Sequence, residues 1–199
     1  KDRSVGAILS SAIAKKFGNK GLPSDTISIN FRGYAGQSFG AYLINGVKIN
    51  LEGEANDYVG KSMHGGRINI YPDRESDFST DGNSIIGNTV LYGATAGYLF
   101  AAGTAGERFC VRNSGAVAVV EGVGDHACEY MTGGEVYIFG PIGKNLGAGM
   151  SGGIAYILNE NEDIYEQVNQ DMVTIEKVNL KDLLKIKEIL TKHLGATSS

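Results

Sequence analysis

One short phrase, written three times at a fixed interval, limits this chain more than any other feature. Gly115-Ala-Val-Ala-Val-Val-Glu-Gly122, Gly134-Glu-Val-Tyr-Ile-Phe-Gly140 and Gly153-Ile-Ala-Tyr-Ile-Leu158 each open on glycine and place apolar residues two and four positions later. Those residues are Val117 and Val119, Val136 and Ile138, and Ala155 and Ile157. Alternation of this kind is the mark of a β-strand with one inward face, and the leading glycines are 19 residues apart both times. Self-similarity at a period near twenty means stacked repeats.

The phrase extends backwards. Gly97 leads Leu99 and Ala101, Gly66 leads Ile68 and Ile70, Asn45 leads Val47 and Ile49, and Asp25 leads Ile27 and Ile29. The interval from Gly66 to Gly97 is 31 residues, and its excess matches the polar stretch 72–84, which reads as a loop inserted into one turn of the stack. Six residues before four of these anchors stand Phe39, Leu91, Phe109 and Cys128, a recurrence that predicts a second inward ladder. Twenty residues hold too little chain for two helices or for a four-stranded propeller blade. A parallel β-helix of about seven coils remains, all-β, with each turn hydrogen-bonded to the one below. Its corners explain the 29 glycines in 199 residues, about twice ordinary usage. Gly66, Gly97, Gly115, Gly134 and Gly153 are the expected corner glycines.

A β-helix must cover its two ends, where apolar core and unpaired strand edges would otherwise face water. At the start, Val5, Ile8, Leu9, Ala12, Ile13 and Phe17 recur at helical spacing, with Ser4 placed to cap the helix and Gly18 to end it. Residues 1–18 are therefore expected to form a capping helix, and 26–158 the solenoid. After it, Met172 to Val178 alternates like a returning strand, and Leu183, Leu184, Ile186, Ile189 and Leu190 predict a second capping helix from Leu180, stopped at Gly195. One domain over 1–199 results.

The formal net charge is −4 with no run of like charges, which argues against a nucleic-acid groove or an anionic membrane surface as partner. No apolar stretch reaches membrane-span length, and the beginning of the chain has no signal-peptide pattern. Two cysteines, Cys110 and Cys128, without disulfide-like density, suit a reducing compartment. Cytoplasm is the expected location, with proteins or small molecules as partners and homo-oligomerisation left open.

Asp125, His126 and Cys128, joined by Glu129, place carboxylate, imidazole and thiol within five residues. A thiol nucleophile needs a base held against it, and zinc needs three or four ligands. No Cys-x-x-Cys accompanies the cluster, and Cys128 falls on the inward ladder, where it reads as a small buried hydrophobe. Gly140 to Gly153 has the glycine content of a phosphate loop but lacks its spacing: Ile138 stands five residues before Gly143-Lys144, Asn145 follows the lysine, and a strand rather than a helix follows. Asn56, Asn113 and Asn145 near the corners are expected to satisfy turn backbones. Tyr34, Tyr42, Tyr58, Tyr92 and Tyr98 could face outward as a protein-binding surface.

Several stretches carry a resemblance. They are Phe31-Arg-Gly-Tyr-Ala-Gly-Gln-Ser-Phe-Gly40, Leu51-Glu-Gly-Glu-Ala-Asn-Asp-Tyr-Val-Gly-Lys61, Ile86-Gly-Asn-Thr-Val-Leu-Tyr-Gly-Ala-Thr95, Ala105-Gly-Glu-Arg-Phe109, Val120 to Gly134 and Ala148-Gly-Met-Ser-Gly-Gly-Ile-Ala-Tyr156. Together they resemble the C-terminal GXGXG domain of glutamate synthase large subunits over nearly the whole chain, with a more distant similarity to the GXGXG-containing component of formylmethanofuran dehydrogenase. The resemblance implies a right-handed β-helix and a structural role, ammonia assimilation being the business of the whole enzyme. In that enzyme an amidotransferase domain releases ammonia from glutamine, and a domain with FMN and an iron–sulfur cluster uses it to make glutamate from 2-oxoglutarate. Those domains are the implied partners. Residue 1 is Lys rather than a nucleophilic Cys, no cysteine cluster for iron and sulfur is present, and the resemblance transfers no catalytic, cofactor-binding or metal-binding residue to this chain. The competing readings are a stand-alone enzyme or ligand-binding solenoid that uses Asp125, His126 and Cys128, and a scaffold component of another oxidoreductase complex.

Overall fold

In a computed structural model that describes residues 2–73, 75, 82–160 and 164–198, the chain is a parallel β-solenoid of about seven turns with helices at its ends. It is the right-handed β-helix expected. Seven strands stack into one wall: β1 (Ile27–Ala35), β2 (Val47–Ala55), β3 (His64–Tyr71), β5 (Ala96–Ala101), β7 (Ser114–Val120), β9 (Thr132–Ile138) and β10 (Gly152–Ile157). A second wall begins at the bend of β2 and continues through β4 (Ser84–Ile86), β6 (Thr104–Ala105) and β8 (Gly122–Val123). Every named pairing is parallel, and coil stacks on coil in register: Ile27 faces Val47, Ile49 faces Ile68, Ile68 faces Leu99, and Ala118 faces Val136. The inward faces fill one continuous core, with Leu43, Ile49, Ile68, Val90, Leu99, Phe109 and Val136 sealed from solvent. Each such side chain contributes roughly 1.5–3 kcal/mol of burial.

The third side of each turn is an arc in which every second residue is left-handed. The arcs begin at Ser38, Tyr58, Thr89, Arg108, His126 and Asn145, and positive φ recurs at the next two alternate positions, as in His126, Cys128 and Tyr130 with φ of 65°, 58° and 52°. Non-glycine residues rarely adopt this conformation, which costs about 1–2 kcal/mol each. Stacking holds them there. The His126 and Tyr130 N–H groups donate forward to Lys144 and Ala148 carbonyls at 2.8 and 2.9 Å, and the Cys128 N–H donates back to the Phe109 carbonyl at 2.7 Å. The same forward, back, forward pattern joins Arg108, Cys110 and Arg112 to their neighbours.

The ladder phase differs from expectation at one coil. A β-bulge between Ser114 and Val117 inserts a residue opposite Gly133–Glu135, so Leu99 stacks on Ala118 and then Val136. Gly115 is therefore not in the column of Gly66, Gly97, Gly134 and Gly153, all of which have positive φ. Ala116 takes that register, and Val119 faces outward beneath a helix. Phe39 and Phe109 are likewise one arc position ahead of Leu91 and Cys128, whose column contains Cys110, although all are buried.

Helix α1 (Ala7–Phe17) packs Leu9, Ile13 and Ala14 on the core, with Val5 just before it. It starts from Gly6 without a side-chain cap from Ser4, ends at Gly18 as expected, and leaves Ile8 88% exposed. A short 3-10 turn, Gly18–Lys20, leads onward. The polar insertion lies between β3 and β4 as the interval indicates, and Arg32 holds its first residues through Asp73 and Glu75. The rest of that expected loop, residues 74 and 76–81, lies outside the described residues.

After β10, the short helix α2 (Ile164–Gln167) precedes residues 172–178. The alternation there predicts a paired return strand. Among the described residues the segment instead runs without a ladder partner, packing Val173 and Ile175 against the core. Helix α3 (Leu180–Thr197) has a full capping box from Asn179 and Asp182. It passes through Gly195 to Thr197, whose hydroxyl donates to the His193 carbonyl at 2.8 Å, because buried contacts at Thr197 outweigh the weak helix preference of one glycine. The helix lies on the outer wall over Phe100, Val119, Tyr137 and Tyr156 through Ile189.

Candidate functional site

The three residues that the sequence offers as site candidates fall on one arc, and the backbone sends them in different directions. Asp125 precedes the left-handed residues, and its Oδ1 accepts the Lys144 N–H at 2.7 Å in the next coil. Two earlier coils repeat this arrangement: Asp57 Oδ1 accepts from Asn88 N at 2.8 Å, and Asn88 Oδ1 accepts from Glu107 N at 2.7 Å. In each case the oxygen lies over a glycine of the succeeding coil. A Cβ at Gly87, Gly106 or Gly143 would stand 2.3, 2.3 or 2.5 Å from it. Asp125 is thus one rung of an Asp/Asn staple that ties coil to coil.

His126 lies on the solvent side, half-buried. Its Nδ1 is 2.7 Å from Glu129 Oε1, and the Asn145 amide reaches both at 3.3 and 3.4 Å. Asn169 in turn donates to Asn145 Oδ1 at 2.9 Å and accepts from Asp171 N at 3.1 Å. This polar chain joins the last full arcs to the segment after α2.

Cys128 lies on the core side with no exposed surface, and burial pushes its thiol up to about 12. Cys110 beside it is raised too, by burial first and then by Cys128 itself. The thiolate is the nucleophilic form, so the fold holds Cys128 protonated and sealed, with the imidazole of His126 across the backbone wall. Carboxylate, imidazole and thiol do not converge. Among the described residues no group of three or more His, Cys, Asp or Glu is placed to hold a metal ion, and no helix is long and apolar enough to cross a membrane.

The asparagines behave as corner residues. Asn113 is fully buried, accepts from Gly115 N and Ala116 N at 3.2 and 2.9 Å and donates to Ala116 O at 3.0 Å, closing the bulge. Asn56 Oδ1 accepts from Asp57 N at 2.7 Å. The glycine-rich stretch from Gly140 forms an arc that feeds strand β10, not a helix N-terminus. Tyr34, Tyr42, Tyr58 and Tyr98 are exposed. Sequence reasoning missed the stacked ladder Asn30–Asn50–Asn69 on the outer wall, donor to acceptor at 2.6 and 2.7 Å. The signal was present, since the three asparagines are spaced 20 and 19 residues apart.

The family model for the GXGXG motif matches residues 1–199. The chain belongs to the GXGXG family. This GXGXG domain is 53% identical over 199 residues to ferredoxin-dependent glutamate synthase 2 of Synechocystis sp., where it covers 13% of that protein. It is also 53% identical over 199 residues to the NADH glutamate synthase of Schizosaccharomyces pombe, covering 9% of it, and 48% identical over 200 residues to the NADPH glutamate synthase large chain of Bacillus subtilis, covering 13%. All of this chain is matched in each case, against a small part of each relative.

Proposed function

We propose that this GXGXG domain is the scaffold of a glutamate synthase, a rigid wall that holds the glutamine amidotransferase and the FMN-dependent synthase parts at fixed separation. The observation that carries the reading is identity of about half the residues along the whole chain to a small segment of such enzymes. Those relatives are named for three electron donors, ferredoxin, NADH and NADPH, yet identity stays between 48% and 53%. The domain therefore serves a step common to all three rather than donor recognition.

The geometry suits that role. Asp125 is occupied with a backbone N–H, His126 with Glu129 and Cys128 with the core, so a reading as a stand-alone enzyme loses its nucleophile. A solenoid stiffened by ladders on three sides transmits position with little compliance. FMN and the iron–sulfur cluster belong to the partner parts, glutamate forms there from glutamine and 2-oxoglutarate, and the assembly works in the cytoplasm. Co-expression of this domain with the remaining glutamate synthase parts, followed by size-exclusion chromatography, tests the reading. Co-elution is expected. Failure to co-elute, with full glutamine-dependent glutamate formation when the domain is left out, contradicts it.

A further inference from the structure

Helix α3 carries exposed leucines on the side away from its packed face. One face, through Ile186, Ile189, His193 and Ala196, packs on the outer wall of the solenoid. On the other side Leu180, Leu183 and Leu184 are 74, 54 and 64% exposed over the first turns, and Leu194, 54% exposed, follows on the same side beyond Lys187 and Thr191. At 3.6 residues per turn these positions line one side of the helix. A helix that only covers a solenoid wall needs a polar outer face, and three exposed leucines clustered at its start exceed the scattered apolar residues of an ordinary surface. Val178, two residues before Leu180, is exposed as well. Val178 and Asp182, which bracket Leu180, line an open cleft of about 450 Å³ between strand β10 and the segment 172–178.

We propose that the outer leucine stripe of α3 is the face by which this domain docks on the rest of its own glutamate synthase, into an apolar groove of the remaining parts. The inference rests on the reading of the domain as a scaffold and adds which surface makes the joint. The choice of occupant follows from mass action. The domain makes up 9–13% of its relatives' length, so most of such an enzyme is delivered to α3 within one molecule. Tethering supplies an effective concentration of the order of millimolar, which a second copy of the domain at micromolar concentration does not match. A persistent joint between parts of one enzyme is also where a cluster of exposed leucines belongs.

The test uses the assembled glutamate synthase that contains this domain. Leu184→Cys and Leu180→Cys are introduced separately, and maleimide labelling of the α3 peptide is followed by mass spectrometry. The natural α3 segment contains no cysteine, so each reading is specific. Labelling in the native enzyme is expected to be slower by about tenfold or more than in the same enzyme unfolded in urea, as for a site buried in an interface core. Native and unfolded rates that agree within about twofold at both positions overturn the proposal. Protection that is lost on dilution, in step with dissociation into smaller assemblies, assigns the stripe to a second copy and equally overturns it. Such a failure leaves the scaffold reading standing, because that reading fails by a different measurement, undiminished glutamate formation without the domain.

Discussion

Asp125 Oδ1 and the backbone N–H of Lys144 are 2.7 Å apart, a bond that spans two coils and turns a candidate catalytic carboxylate into a staple. Asn88 makes the same bond to Glu107 two coils earlier, so the position requires a side-chain oxygen rather than a charge. Asp125→Ala is expected to cost about 1 kcal/mol, the net worth of one such hydrogen bond, and Asp125→Asn less than about half of that. Urea denaturation midpoints read the difference. Equal losses for the two variants would assign the position a need for charge.

Gly134 and Gly195 should respond oppositely to a methyl group. Gly134 has φ +88° and a Cβ there would stand 2.4 Å from the Ala116 carbonyl oxygen. Gly134→Ala combines left-handed strain with overpacking against backbone and is expected to cost about 3 kcal/mol or more. Gly195 sits inside α3 with nothing within 4 Å of a built Cβ, and Gly195→Ala should stabilise by about 0.5–1 kcal/mol. Thermal denaturation of both variants tests the register of the stack and the extent of α3 together. A harmless Gly134→Ala would contradict the register.

The stack, its insertion and its end helices were legible because apolar alternation after a regularly spaced glycine leaves few ways to bury the apolar side. Three features were not. The bulge at Ser114–Val117 adds one residue without changing composition, so Gly115 reads as an anchor while Ala116 does its work. The alternating arcs are hidden for a different reason: Arg108, Cys110, Arg112, His126, Cys128 and Tyr130 are not residues that announce a left-handed backbone, and only hydrogen bonds from neighbouring coils hold them in it. For the same reason Asp125, His126 and Cys128 looked like a cluster. Proximity in sequence says nothing of which side of a tight arc each side chain leaves from. The segment 172–178 alternates like a strand, but its apolar residues pack against the core without any ladder pairing.

Stability should fall in alkali. Burial raises the Cys128 thiol from 9.0 to about 12 and Cys110 upward with it. Tyr156 rises from 10.0 to about 12 through burial and its bond to Asp182, and Tyr137 rises through burial and Glu135. All four stay protonated in the fold when the unfolded chain has begun to release protons, so the folded state binds more protons and stability declines as pH rises. The contribution of Cys128 and Tyr156 is complete below about pH 9 and is lost between about pH 9 and 12, and that of Cys110 and Tyr137 goes on falling above that range. The urea midpoint should be lower at pH 10.5 than at pH 8, with a smaller drop in Tyr137→Phe. A midpoint independent of pH across that interval would contradict the burial of these groups.

On the proposed reading the domain positions chemistry carried out elsewhere and supplies no reacting group. The most direct measurement is glutamine-dependent glutamate formation by the assembled glutamate synthase carrying Asp125→Asn, His126→Gln and Cys128→Ala together, with folding and assembly checked by size-exclusion chromatography. On that reading kcat stays within about twofold of the unsubstituted enzyme, since Asp125 is bonded to a backbone N–H, His126 to Glu129, and Cys128 is sealed in the core. A loss of about a hundredfold or more in the correctly assembled enzyme, the scale of a missing general base or nucleophile, would contradict it.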